Sequence, residues 1–221
     1  MNPPKEYKRV LQAQLLTGVG KPRTWFAIKD GKQYVVKGPV SEEERTACLR
    51  SQNIKERIGL PHTEMVAEGD FLVQRCLFDY TQCPTEIHGS RLEPKRSILS
   101  PSMYMGWLHE YVKTATESTL VGLFESLLFR RIIQTNDTCP QNIMNINGIV
   151  YSIDDGAYGK NPRQMWKRRL PLDVQQDYID ALHRVWSILQ DTMKRWYTCL
   201  EGEAVLQKRL LKFKHFRHWI F

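Results

Sequence analysis

The feature that most constrains this chain lies near its middle, in residues 120–159. An apolar run at helical spacing ends at a polar loop, and two short strand-like runs follow, separated by the turn dipeptide Asn147-Gly148. Oxygen-bearing side chains flank this predicted hairpin, namely Asp137, Asn142, Asp154 and Asp155. A hairpin that brings such side chains to the mouth of one cleft would gather the oxygen ligands that a nucleotide-bound magnesium ion requires.

Length and composition narrow the class of protein. At 221 residues and 42% hydrophobic content, the chain can bury a sizeable core, as one domain or as two small lobes that share a cleft. The formal net charge of +8 favours acidic partners, such as nucleotide phosphates, nucleic acid, anionic lipid or an acidic protein surface.

Cysteine usage and hydropathy predict where such a protein works. The five cysteines contain no CxxC pair, which indicates neither a disulfide framework nor a zinc ribbon and favours a reducing compartment. No run approaches the roughly 20 apolar residues of a membrane span, and the first residues lack the apolar core of a signal peptide. We therefore expect a soluble intracellular protein, cytoplasmic or nuclear, without a transmembrane segment.

Strand signals dominate the first third of the chain. Three antiparallel strands are predicted at residues 14–16, 25–28 and 34–37, and an Asp-Gly turn joins the last two. The loop between the first two contains Gly18, Gly20 and Lys21, whose backbone amides and charge suit phosphate oxygens. Taken alone, the loop is read more simply as a hairpin turn, because the GxxxxGK[ST] pattern of a P-loop is absent.

Lys37 is the most informative residue of this region, because it ends a β-branched strand just before a predicted helix. Ser41 is the expected N-cap of that helix, with Glu44 at the capping-box position. Glu43 and Glu44 both lie at the margin of the inward stripe of the helix. Either carboxylate is therefore a candidate partner for the Lys37 ammonium.

Helical periodicity dominates the second half. A long helix beginning near Asp173 carries a core-facing stripe. The last segment, residues 203–221, interleaves apolar and basic side chains. This pattern is typical of a helix docked on the body of the protein, the interpretation we favour, and also of a helix that binds nucleic acid or a membrane surface. The predicted fold class is α+β, with an antiparallel sheet and one helix first and mainly helices afterwards.

In order and spacing, these parts resemble the protein-kinase-like superfamily. Residues 137–142 resemble the catalytic loop HRDxxxxN, and residues 153–156 resemble the metal-binding DFG, more nearly the IDFG of phosphoinositide-type kinases. Residues 34–37 resemble the VAIK strand, and the helix after them takes the place of the αC helix. The resemblance covers roughly residues 14–197, most of the chain.

The resemblance implies a two-lobed kinase-like fold. Residues 1–78 would form a β-rich N-lobe, residues 79–118 a connector, and residues 119–221 a helical C-lobe that ends in a basic helix. It also implies an ATP-dependent phosphotransferase that moves the γ-phosphate to a hydroxyl with the help of Mg²⁺. The acceptor stays open among protein, lipid and small-molecule hydroxyls.

Site roles follow from the resemblance one residue at a time. Lys37 would hold the α- and β-phosphates, steadied by Glu44 or Glu43, and the loop with Gly18, Gly20 and Lys21 would lie near the nucleotide. Asp137 would accept or orient the proton of the attacking hydroxyl. Asn142 and Asp154 would bind magnesium. Asp155 stands in place of the packing Phe of DFG and is either a second metal ligand or a solvated loop residue.

Departures from the family pattern favour an atypical branch, phosphoinositide-kinase-like or HipA-like. The expected His-Arg before the catalytic Asp is Thr135-Asn136, and Cys139 replaces a basic residue. Only 16 residues separate Gly156 from Asp173, too few for an ordinary activation segment. Two alternatives therefore stay open: a pseudokinase that acts as a nucleotide-binding or structural module, and a basic structural protein associated with nucleic acid.

Overall fold

The computed structural model describes residues 4–12, 23–77, 111–134, 142–153, 155 and 172–219. The strands are β1 (Lys8–Gln12), β2 (Arg23–Lys29), β3 (Lys32–Gly38), β4 (Met65–Glu68), β5 (Phe71–Arg75), β6 (Ile143–Ile146) and β7 (Ile149–Ser152). The helices are α1 (Glu42–Ile58), α2, of which residues 111–114 are described, α3 (Glu117–Ile133), α4 (Leu172–Cys199) and α5 (Ala204–Lys212), followed by a 3-10 turn at Phe216–His218. An antiparallel sheet therefore precedes a mainly helical part, as predicted.

Five antiparallel strands form the N-terminal sheet in the order β1-β2-β3-β5-β4. Asp30 and Gly31 both have positive φ, so the β2–β3 hairpin turns tightly where the Asp-Gly dipeptide predicted it. The first strand differs from the prediction, because it lies at Lys8–Gln12 and residues 14–16 fall outside the described part of the chain. Lysine and arginine in this edge strand hide its alternation in the sequence, although charged residues are usual on sheet edges.

The helix α1 begins and ends with the expected caps. Ser41 accepts a hydrogen bond from the backbone N–H of Glu44 at 3.1 Å, and Gly59 ends the helix in the left-handed conformation at φ 72°. Ile54 and Ile58 of α1 belong to the same buried core as the C-terminal helices, whereas Cys48 packs with Leu72 of the sheet. The helix is therefore shared by both halves of the molecule.

The C-terminal core is built by α3, α4 and α5 around fully buried aromatic side chains, among them Phe124, Tyr178, Trp196 and Trp219. The last segment docks on this core, because Leu206 and Leu210 of α5 are buried. Arg209 donates a hydrogen bond at 2.9 Å to the carbonyl of Ile132, in the last turn of α3. The apolar face of the terminal helix thus packs inward, as the favoured interpretation predicted.

The β6–β7 hairpin lies directly against α3. A side chain at Gly122 would place its Cβ 3.0 Å from the Cβ of Val150, so only glycine allows this close approach without a shift of the hairpin. Asn147 and Gly148 both have positive φ, as the predicted Asn-Gly turn requires. No helix in the described part of the chain is long and apolar enough to cross a membrane.

Candidate functional site

The structure joins Lys37 to the helix that follows it. Lys37 lies near the end of β3, and its Nζ is 2.7 Å from Oε1 of Glu44. Their side chains are 22% and 29% exposed, so the ammonium is fixed in place yet still reachable by a ligand. Next to Lys37, the backbone of Gly38 passes so close to Phe71 that a Cβ would lie 2.4 Å from its ring. A packed strand end and a capped helix therefore set the position of this cation.

Of the two glutamates that the helical period left open, Glu44 is the one whose contact with Lys37 the structure specifies. Glu43 is exposed in the first turn of α1. Gly18, Gly20 and Lys21 of the glycine loop, together with Asp137 and Asp154, lie outside the described residues. Their proposed roles therefore stay predictions from the sequence.

Asn142 is buried at the base of the β6–β7 hairpin, and its backbone carbonyl accepts a hydrogen bond of 2.8 Å from the N–H of Ile153. The register pairs Ile143 with Ser152, so residue 142 faces residue 153 across the hairpin. The hairpin therefore brings Asn142 next to the segment that contains Asp154 and Asp155.

Asp155 is enclosed by two cations. Lys55 of α1 and Arg130 of α3 both contact its carboxylate, and the three side chains are 2%, 7% and 0% exposed for Asp155, Lys55 and Arg130. Arg130 donates a hydrogen bond to Oδ1, whereas Lys55 faces Oδ2 as an ion pair without hydrogen-bond geometry. We call Asp155, Lys55 and Arg130 the buried ion cluster.

Further hydrogen bonds extend the buried ion cluster along the last strand of the hairpin. Lys55 Nζ donates to the carbonyl of Ser152 at 2.5 Å and lies 5.3 Å from the centre of the Phe129 ring. Arg130 donates to Ser152 Oγ at 3.0 Å and to the carbonyl of Ile153 at 2.8 Å. Two helices therefore grip the chain just before and at the DFG-like position.

One face of α1 makes the contacts with both parts of the site. Glu44 binds Lys37, Ser51 Oγ donates to the backbone carbonyl of Asp155 at 3.2 Å, and Lys55 reaches the Asp155 carboxylate. At 100° per residue, these three positions fall within an arc of about 40°. Glu44 and Ser51 are about 10 Å apart along the helix axis. The helix therefore sets the spacing between the Lys37 ammonium and the end of the hairpin.

The C-terminal half of α1 is also tied to the turn between α4 and α5. Arg57 donates hydrogen bonds of 2.9 Å to the carbonyls of Cys199 and Glu201. Arg50 forms an ion pair of 2.9 Å with Glu203. These contacts, together with the buried ion cluster, fix α1 to the helical half of the molecule.

Tyr111 of α2 contacts the β6–β7 hairpin. Its hydroxyl lies 3.4 Å from Nδ2 of Asn145, and burial raises the pKa of Tyr111 to about 12. The phenol is therefore neutral at physiological pH.

Lys55, Arg130 and Ser51 are site residues that the sequence reasoning missed. One signal was present for Arg130, which interrupts an apolar run in α3, whereas Lys55 shares its position between two isoleucines with the exposed Glu56 and Arg57. A charged residue within a buried stripe usually has a buried partner. Among the described residues, no group of three His, Cys, Asp or Glu side chains forms a metal site.

Among the solved structures that are similar to this chain are two kinases. One is the Helicobacter pylori proinflammatory kinase CtkA, with 10% sequence identity, a TM-score of 0.45, and coverage of 88% of this chain and 91% of that chain. The other is the choline kinase LicA from Streptococcus pneumoniae, with 15% identity, a TM-score of 0.39, and 93% coverage of both chains. No family model matches the sequence, and a search of curated proteins finds no match. With both TM-scores below 0.5, the function has to be inferred from this chain's own residues.

Proposed function

We propose that this chain is a kinase-like phosphotransferase that binds ATP with Mg²⁺ and moves the γ-phosphate to a hydroxyl acceptor. The observation that carries the proposal is the double attachment of α1, which holds Lys37 through Glu44 and the end of the β6–β7 hairpin through Ser51 and Lys55. Phosphoryl transfer requires a fixed cation, here on the sheet, and a set of oxygen ligands for the metal, here on the helical half.

The described donors have the right chemistry for the nucleotide and its metal. The Lys37 ammonium is partly exposed and oriented by a carboxylate, so it suits phosphate oxygens. Asn142 carries an amide oxygen at the base of the hairpin, beside the sequence position of Asp154. Amide and carboxylate oxygens are ligands that Mg²⁺ accepts. Asp155 fits a metal less well, because two protein cations already neutralise its carboxylate.

Each residue then has a defined task. Bound ATP would supply the phosphoryl group, and Mg²⁺ would offset the charge on its oxygens. Lys37 would bind the α- and β-phosphates, with Glu44 keeping the ammonium pointed at them. Asn142 and Asp154 would hold the metal, and Asp137 would orient and accept the proton of the attacking hydroxyl.

The experiment that tests this proposal is transfer of radiolabelled γ-phosphate from ATP to water or to the protein itself, with Asp137→Asn as the inactive variant. We expect slow, Mg²⁺-dependent turnover by the wild type, lost in Asp137→Asn while ATP binding is kept. Wild-type binding without turnover would identify a pseudokinase that serves as a nucleotide-binding module. Absence of ATP binding at millimolar concentration would contradict both functions.

A further inference from the structure

The sequence left two roles open for Asp155, namely a second metal ligand or a solvated loop residue. We propose that Asp155 is a positioning residue for the phosphoryl-transfer site and not a metal ligand: through the buried ion cluster it fixes α1, and with it the Lys37–Glu44 pair, to the β6–β7 hairpin. The inference rests on the proposed function for its effect on ATP. Its effect on folding is independent of that function.

The orientation of the Asp155 carboxylate supports a positioning role. Both of its oxygens face cations from the protein, with Arg130 at Oδ1 and Lys55 at Oδ2. Ser152 Oγ also donates to Oδ1 at 2.9 Å. A carboxylate that binds a metal needs at least one oxygen directed at the ion, and here each oxygen already faces a positive group at ion-pair distance.

The burial of the Asp155 carboxylate supports the same role. The Asp155 side chain is 2% exposed and Arg130 is 0% exposed, so this carboxylate is enclosed between α1 and α3 and does not face an open cleft. Charges at this depth are retained only when they are paired, because each one loses its hydration. The pairing therefore has a structural consequence. If α1, α3 and the hairpin separate, at least one charge in the apolar core loses its partner.

The helix α1 connects the buried ion cluster to Lys37. Lys55 and Ser51 lie on the same face of α1 as Glu44, and an α-helix of this length transmits position as a rigid rod. If the Lys55 end moves away from the hairpin, the Glu44 end turns or shifts with it. The Lys37 ammonium would then lose its alignment with phosphates held at the hairpin side.

The test combines Lys55→Met, Asp155→Asn and the double variant, with Lys208→Met as the control for the same chemical change at an exposed helical position. Melting temperatures are measured without nucleotide or metal. We expect Asp155→Asn to lower the melting temperature more than Lys55→Met, since it leaves two buried cations without their carboxylate. The double variant should recover part of that loss, because it removes one of the two cations. Equal stability of Asp155→Asn and the wild type would overturn the proposal.

The functional arm measures the dissociation constant of ATP, at saturating Mg²⁺ and well below the melting temperature of each variant. Lys55→Met removes no candidate metal ligand, and it leaves the Asp155–Arg130 pair in place, so it is expected to fold. We expect it to weaken ATP binding about 10-fold, and Lys55→Arg to restore most of the affinity. Unchanged ATP affinity in folded Lys55→Met would overturn the positioning role.

The two proposals fail in different ways. If the wild type does not bind ATP, the proposed function fails, while the melting temperatures still decide whether Asp155 is a structural anchor. If Asp155→Asn keeps its stability but needs far more Mg²⁺ for ATP binding, and Lys55→Met does not, then Asp155 is a metal ligand and the positioning proposal fails alone.

Discussion

Two lysine–carboxylate pairs lie on one face of α1, and they differ most in burial. Lys37 and Glu44 are 22% and 29% exposed, whereas Lys55 and Asp155 are 7% and 2% exposed. Arg130 contacts the same Asp155 carboxylate as Lys55. An ion pair reached by water contributes little to folding, so the Lys37–Glu44 pair should add little to stability. A buried pair is costly to break, so its contribution is a fixed geometry. One helix thus contributes to one ion pair that water reaches and to one that is enclosed.

Disrupting the buried ion cluster should have the largest effect on stability. Arg130→Met removes the hydrogen bonds to Asp155, Ser152 and Ile153 and leaves buried acceptors without a donor. We expect the free energy of unfolding to fall by about 3 kcal/mol or more, measured by urea denaturation. The adjacent Arg131→Met is the control, because Arg131 is only half-buried and its loss should cost about 1 kcal/mol or less. Similar losses for both variants would contradict the structural role of the cluster.

Disrupting the exposed Lys37–Glu44 pair should weaken ATP binding with little effect on stability. Glu44→Gln keeps the size of the side chain but removes the charge that orients Lys37. The free energy of unfolding should change by no more than about 1 kcal/mol, whereas ATP binding, measured by a fluorescent analogue, should weaken several-fold. Glu56→Gln on the exposed face of the same helix is the control and should leave both unchanged. A destabilisation as large as that of Arg130→Met would mean that the two pairs do not differ as proposed.

A third carboxylate extends the comparison, because Glu125 of α3 is largely buried and its ion pair with Arg195 is longer than those of Asp155. It accepts a hydrogen bond of 2.8 Å from Thr192, and Arg195 is 3.7 Å away. Burial raises the pKa of Glu125, and the Thr192 hydrogen bond and the Arg195 charge only partly offset it. Since the folded pKa lies above the unfolded value of 4.5, the unfolded chain loses this proton first as pH rises. The contribution of Glu125 to stability therefore declines as the pH rises from 4.5 through the folded pKa of this group.

The variant Glu125→Gln keeps an acceptor for Thr192 and removes the buried charge. At pH 7 we expect it to be at least as stable as the wild type, with a gain of up to about 1 kcal/mol. The gain should disappear as the pH falls towards 4.5, where the wild-type carboxyl also takes up its proton. Urea denaturation at both pH values checks this. A loss of stability at pH 7 would show that the charged form is favoured in the fold.

Local signals in the sequence predicted much of this arrangement. Some local features depend on neighbouring residues alone, so their patterns can be recognised directly in the sequence. These features are the Asp30-Gly31 and Asn147-Gly148 turns, the Ser41 cap and the strand that contains Lys37. Contacts over long sequence separations could not be read. The helical period allowed both Glu43 and Glu44 to reach Lys37, and the contact of Glu44 could be specified only from the packing of α1 on the sheet. Nothing near Asp155 in the sequence indicates that Lys55 and Arg130 meet it, because they come from two other helices.

The most direct test of the proposed site is a calorimetric titration of ATP, with and without Mg²⁺, into the wild type, Lys37→Ala and Lys32→Ala. Lys32 is the matched control, because it lies at the exposed far end of the same strand. We predict Mg²⁺-dependent binding to the wild type and to Lys32→Ala, and at least about 10-fold weaker binding to Lys37→Ala, as expected for loss of a charged hydrogen bond. Binding by Lys37→Ala as tight as that of the wild type, or no binding by any of the three proteins, would contradict a nucleotide site built around Lys37.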